Sequence, residues 1–149
     1  MFERKMDTRY VIYLILAGIF LTGCAVARPA RIILPQATLE RVEWTAEELK
    51  SDPAIRTLGA TKEASFHLIH LKNPEKPHIH SDHDLTVFIL SGKGFVHFKD
   101  RAVPLAPGDV VTIPRGEVHW AENADPKGTD VYAVFTPAFD GKDSMLVEE

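Results

Sequence analysis

A chain of 149 residues with 45% hydrophobic and 26% charged residues has the length and composition of one globular domain. A net charge of −4, with no basic stripe and no basic patch interleaved with aromatics, argues against nucleic acid as a partner. The single cysteine, Cys24, excludes a disulfide within the chain.

The chain opens with a basic stretch containing Arg4, Lys5 and Arg9, followed by the apolar run "YVIYLILAGIF" and then "LTGC". As a helix, about 12 apolar residues reach about 18 Å, short of the roughly 30 Å hydrocarbon core of a bilayer. The segment therefore reads as an export signal, not a permanent span. Leu21, Thr22, Gly23 and Cys24 resemble a bacterial lipobox, in which the cysteine becomes the lipidated first residue of the mature protein. That resemblance implies a signal peptide over residues 1–23 and lipidation at Cys24. The partner so implied is a bacterial membrane, with the domain held on its periplasmic or outer side. Several acyl chains would give a stable anchor where one gives only marginal binding.

Residues 24–40 read as a tether, with Pro29 and Pro35 opposing regular structure. The domain proper is assigned to 41–149. "WTAEELKSDP" predicts a short helix, since Thr45 and Glu48 have capping-box spacing and Pro53 marks an end. From Ser65 to Pro137 the sequence breaks into short apolar runs separated by "KNPEKP", "SGKG", "KDR", "APGD", "RGEV" and "DPKG". This pattern predicts an all-β domain of roughly seven or eight antiparallel strands, closed as a barrel or stacked as a sandwich.

Three histidines, His78, His80 and His83, fall within "KPHIHSDHD". Residues i and i+2 of a strand share a face, with Cα atoms roughly 6.6 Å apart, so His78 and His80 can aim at one point. A metal held there needs a further donor from a neighbouring strand, and His119, after a Pro-x-Gly turn, is the natural supplier. His67 and His70 fall on opposite faces of one strand and cannot share a site without a bulge. They and His97 read as surface or packed histidines, with His97 a candidate to support a ligand, and the aromatics Phe66, Phe88, Trp120 and Phe135 read as core. Arg115 and Glu117 read as solvated turn residues.

"GDVVTIPRGEVHWAEN" resembles the second conserved motif of the cupin family at every defined position, through Gly108, Pro114, Gly116, His119 and Asn123. The first cupin motif is matched by His78, His80 and Gly92, whereas its glutamate is missing. The resemblance covers roughly residues 65–137. It implies a small antiparallel barrel of jelly-roll type enclosing one divalent transition metal, with zinc, iron, manganese, nickel and copper all open. It also implies His78, His80 and His119 as ligands and a dimer paired through sheet edges. Counting forward from His80 puts Asp84 in the place of the glutamate, as a weak fourth ligand or a support for a histidine. Counting back from Gly92 reaches Leu85, which cannot ligate, and His83 is a rival. Cupins of this size include dioxygenases, isomerases and decarboxylases, so the resemblance implies no single reaction. A metal enzyme, a tethered module that binds a small molecule, and an envelope interaction protein all stand open.

Overall fold

The computed structural model describes residues 29–147. The expected signal peptide and the lipidation site Cys24 lie outside these residues. Within the stretch read as a tether, β1 (Ile32–Leu34) and β2 (Ala37–Leu39) form an antiparallel hairpin, which corrects that reading. Pro35 and Gln36 make its two-residue turn, and a proline's fixed φ suits the first turn position.

The expected N-terminal helix shrinks to one 3-10 turn, Glu48–Lys50. Its capping box is nonetheless formed. The Glu48 N–H donates to Thr45 Oγ1 at 3.2 Å and the Thr45 N–H donates to Glu48 Oε2 at 2.8 Å. Two forces stop the helix there. Pro53 disfavours helical backbone at Asp52, and Arg56 engages both oxygens of Glu48 at 2.7 and 2.8 Å.

Ten further strands follow: β3 (Ala54–Ala60), β4 (Ser65–Leu71), β5 (His78–His80), β6 (Asp84–Ser91), β7 (Gly94–Phe98), β8 (Arg101–Leu105), β9 (Val110–Ile113), β10 (His119–Asn123), β11 (Thr129–Thr136) and β12 (Ser144–Leu146). They pair antiparallel into two five-stranded sheets, ordered β3-β4-β11-β6-β9 and β12-β5-β10-β7-β8. The strands thus form two sheets that enclose a cavity between them, and not one closed ring of hydrogen bonds. The β-region also extends beyond the expected 65–137, because β3 and β12 each add an edge.

Register stacks the inward side chains of the first sheet into cross-strand rows. Ser65, Phe135, Leu85 and Ile113 form one row, His67, Ala133, Val87 and Val111 the next, and Ile55, Ile69, Val131 and Ile89 a third. Such facing pairs on one side of a sheet are the unit of its stabilisation. The tight core sits at the first row, where Leu85, Ile113 and Phe135 are buried together with Ala133 from the second. Opposite faces are used as the period of two requires. His67 packs edge-on against Phe135 and Phe139, whereas His70 meets Trp44 and donates from Nδ1 to Asp130 at 2.7 Å. Phe88 is 39% exposed and Trp120 stacks on His97 at 4.7 Å, so neither belongs to the core expected for them.

Candidate metal centre

Strand β5 is the three-residue segment His-Ile-His, with both histidines buried and Ile79 half-buried between them. Its alternation turns His78 and His80 to the same side. His119 opens β10 and stands directly opposite His78 in the antiparallel pair. The intervening Pro-Arg-Gly turn is fastened to the same strand, because the Gly116 N–H donates to the His80 carbonyl at 2.7 Å. Gly116 takes a φ of +78°, which a side chain would resist, so glycine is required at this turn.

The three rings converge, with centroids 4.5 Å apart for His78 and His119, 5.2 Å for His78 and His80, and 5.4 Å for His80 and His119. One ring nitrogen from each lies within 4.8 Å of the other two. The hydrogen bonds fix the tautomers. His78 Nδ1–H donates to the Lys76 carbonyl at 2.8 Å, and His119 Nδ1–H donates to the Glu117 carbonyl at 2.9 Å. His80 Nδ1–H donates to Asp143 Oδ1 at 3.3 Å. Carbonyls and carboxylates only accept, so each Nδ1 carries a proton, and in the neutral ring it is Nε2 that keeps the lone pair. This is the arrangement by which a protein orients imidazoles toward a metal. Burial, aided by the neighbouring rings of His78 and His80, lowers the His119 pKa to about 4 against the pull of the Glu117 carbonyl. Burial likewise lowers that of His80, outweighing Asp143. Neutral, lone-pair-bearing imidazoles are what a divalent metal needs, and these residues fit one.

Asp84 does not join the triad. Its Oδ1 accepts from the Arg115 backbone N–H at 2.9 Å and its Oδ2 from Arg115 Nη2 at 2.8 Å, at a half-exposed position. Those hydrogen bonds hold its carboxyl at about 2. Arg115, expected to be solvated, is therefore the clasp of the motif turn. The rival His83 is buried, and both of its nitrogens are engaged. Nδ1–H donates to Asp143 Oδ2 and Nε2–H to the Ala138 carbonyl at 3.0 Å. With acceptors on both sides His83 is an imidazolium and has no lone pair to offer a metal. Burial opposes that charge, but Asp143 and Ala138 outweigh it and the pKa is raised. His97 donates to Glu122 at 2.9 Å and stacks on Trp120, away from the role of supporting a ligand.

The residue that sequence reasoning missed is Asp143. It is 5% exposed and receives His80, His83 and the Asp82 N–H. Desolvation raises its pKa, yet these bonds bring the net shift downward. Asp143 precedes β12, which pairs with β5 in the register Ser144 to His80 and Leu146 to His78. The C-terminal strand thus flanks the ligand strand on one side and β10 flanks it on the other. Only this long-range pairing brings Asp143 to the site; no periodic signal in "DGKDSML" announces it.

From the triad a cavity of about 620 Å³ runs between the sheets. Phe135 and Phe139, stacked at 4.5 Å, stand beside His80. Aliphatic side chains of all three rows line one wall, Val96, Leu105 and Ala121 of the second sheet line the other, and Asp52, Glu75 and Lys76 contribute from the connecting loops. Concave, mostly apolar spaces of this size with a few convergent polar groups are the usual form of a small-molecule site.

Two facing sheets with three histidines converging inside define a small β-sandwich with a site that could hold a metal ion. The cupin-domain family matches residues 68–135, and the chain belongs to the cupin family. An uncharacterized protein of Aquifex aeolicus is 37% identical over 106 residues, which span 71% of this chain and 84% of that protein. A probable germin-like protein of Arabidopsis thaliana is 29% identical over 107 residues, 68% of this chain and 49% of the plant protein. Among solved structures, an uncharacterized conserved protein with a double-stranded β-helix domain from Klebsiella pneumoniae superposes with a TM-score of 0.58. The two are 22% identical, and the match covers 80% of this chain and 99% of that one.

Proposed function

We propose that this cupin holds one divalent transition metal through His78, His80 and His119 and uses it to bind a small molecule in the adjoining cavity. The observation that carries the reading is the outward engagement of all three Nδ1 atoms, which leaves three Nε2 lone pairs directed at one point. Neutral imidazoles without a carboxylate suit zinc, copper or nickel better than iron or manganese. Metal analysis of protein beginning after Cys24, purified without chelator, tests the reading. It should show about one metal per chain, and His119→Ala should lose it. Absence of metal, with no uptake of zinc, copper, nickel, iron or manganese on titration, would refute it.

Catalysis is the second reading, favoured by the positions that three protein ligands leave open on a metal. There the metal would supply Lewis-acid or oxygen chemistry. The residues of this chain would orient the metal and keep one end of the cavity dry through Phe135 and Phe139.

The order of basic stretch, apolar run and "LTGC" supports export and lipid attachment at Cys24. Cys24→Ser should leave the precursor unprocessed or release a soluble domain. Recovery of that variant as a mature, lipid-modified protein would refute the anchor.

A further inference from the structure

We infer that the ligand of this cavity is an uncharged, hydrocarbon-rich small molecule that presents a single oxygen head to the triad. The inference rests on the reading of the cavity as the binding site and adds the chemical class of its occupant. Three observations carry it.

The first is the third inward row. Ile55, Ile69, Val131 and Ile89 stand side by side across four strands, and all four line the cavity. Val87 and Val111 continue the surface toward the triad. Ile69, Val87, Val111 and Val131 point inward and yet are only half-buried, because what they face is the cavity. Apolar surface left in water is unfavourable in proportion to its area, so an occupant that covers these branched chains gains affinity from them.

The second is the state of the polar groups on the wall. Asp52 accepts from the backbone N–H groups of Lys72 and Asn73, and Glu75 accepts from the Ala121 N–H. Thr129 Oγ1 is engaged with Lys93 and Asn123. Side chains already committed in this way offer little to the hydroxyl groups of a sugar, which would lose their hydrogen bonds with water on entry.

The third is charge. Among the described residues, Lys76 is the one lysine or arginine in the cavity lining, against Asp52, Glu75 and Glu122, the last of which accepts from His97. Arg115 and Arg56, on neighbouring segments, are paired with Asp84 and Glu48. Phosphates and polyanionic acids are held by converging arginines and backbone donors, and this wall supplies none. The three imidazoles remain as the polar focus, at one end of an aliphatic trough.

The test uses phenol and 4-pentylphenol, which share one head and differ by a hydrocarbon tail, with glucose 6-phosphate as the polar anionic alternative. Calorimetric titrations are run on the zinc-loaded and on the chelator-treated protein. Each methylene fully covered adds about fourfold in affinity. Allowing for partial coverage, 4-pentylphenol should bind at least about thirtyfold more tightly than phenol. Tail preference should appear in both forms of the protein, because the tail meets the wall and not the metal. Zinc stoichiometry is measured separately. A protein that takes up none of zinc, copper, nickel, iron and manganese yet keeps the preference for 4-pentylphenol refutes the metal reading and sustains the cavity inference. A preference below about threefold in both forms, or tighter binding of glucose 6-phosphate, overturns the inference. The double variant Ile69→Thr, Val131→Thr should lose most of the preference and retain zinc. Should it fail to fold, methyl spectra of the parent protein decide. Shifts at Ile69, Val87 and Val131 sustain the inference, and shifts confined to exposed Ile33 and Val110 overturn it.

Discussion

Replacing Asp143 by asparagine keeps the shape of the side chain and changes one acceptor oxygen into a donor. In the native protein the two carboxylate oxygens accept from His80 and His83 respectively. The amide can satisfy only one of them, and its NH₂ must face the other. Turned toward His80, it forces that ring into the alternative tautomer, in which Nε2 carries the proton and cannot ligate. Turned toward His83, it removes the counter-charge of a buried imidazolium, which then deprotonates. Loss of an orienting partner of this kind lowers metal affinity about 10–100-fold, or about 1.4–2.8 kcal/mol. Asp143→Ala leaves both histidines and the Asp82 N–H without their acceptor. Breaking a buried charge pair typically costs about 3–5 kcal/mol, and release of the His83 proton places this variant toward the lower end. Competition with a chromophoric chelator measures zinc affinity, and urea unfolding of the metal-free protein measures stability. Zinc binding by folded Asp143→Asn within about twofold of the parent would refute the orienting role.

Asp84→Ala should change zinc affinity by less than about threefold, because its carboxylate belongs to Arg115; a chelator titration beside the parent decides, and a larger loss would mean that Asp84 reaches the metal. The metal-free protein should also lose stability as acid is added. His119 is neutral in the folded state down to about 4, whereas the unfolded chain protonates it near about 6.5. The unfolded state thus binds more protons between those values, and stability falls across that window as pH falls. His83, with its raised proton affinity, acts in the opposite sense. Urea midpoints from pH 7 to pH 4 for parent and His119→Gln isolate the term: the variant should show the shallower decline, and parallel declines would refute the assignment.

The His-x-His pair and the Pro-x-Gly turn made the three imidazoles legible, because two local rules, strand alternation and turn chemistry, suffice to place them. The all-β class was legible from the same turns. Asp84 misled because counting along the chain is blind to what stands across the sheet, and Arg115 stands there. Asp143 was hidden for the same reason: its role comes from a strand pairing with β5 that spans some sixty positions. The hairpin at Ile32–Leu39 is not legible because proline opposes a strand interior, whereas Pro35 stands in the turn itself. Thr45 and Glu48 were read correctly as a cap, but a cap starts a helix without fixing its length.

Asp143 follows all three imidazoles in the chain, and β12 follows every other strand of its sheet. Synthesis delivers a chain in that same direction. For an interval, the emerging protein has its full set of ligands but lacks the carboxylate that sets the tautomer of His80. In that interval His78 and His119 have their carbonyl partners close by in the chain, and only His80 waits for its own. The orienting carboxylate of His80 is therefore the part of the site that only β12 can deliver.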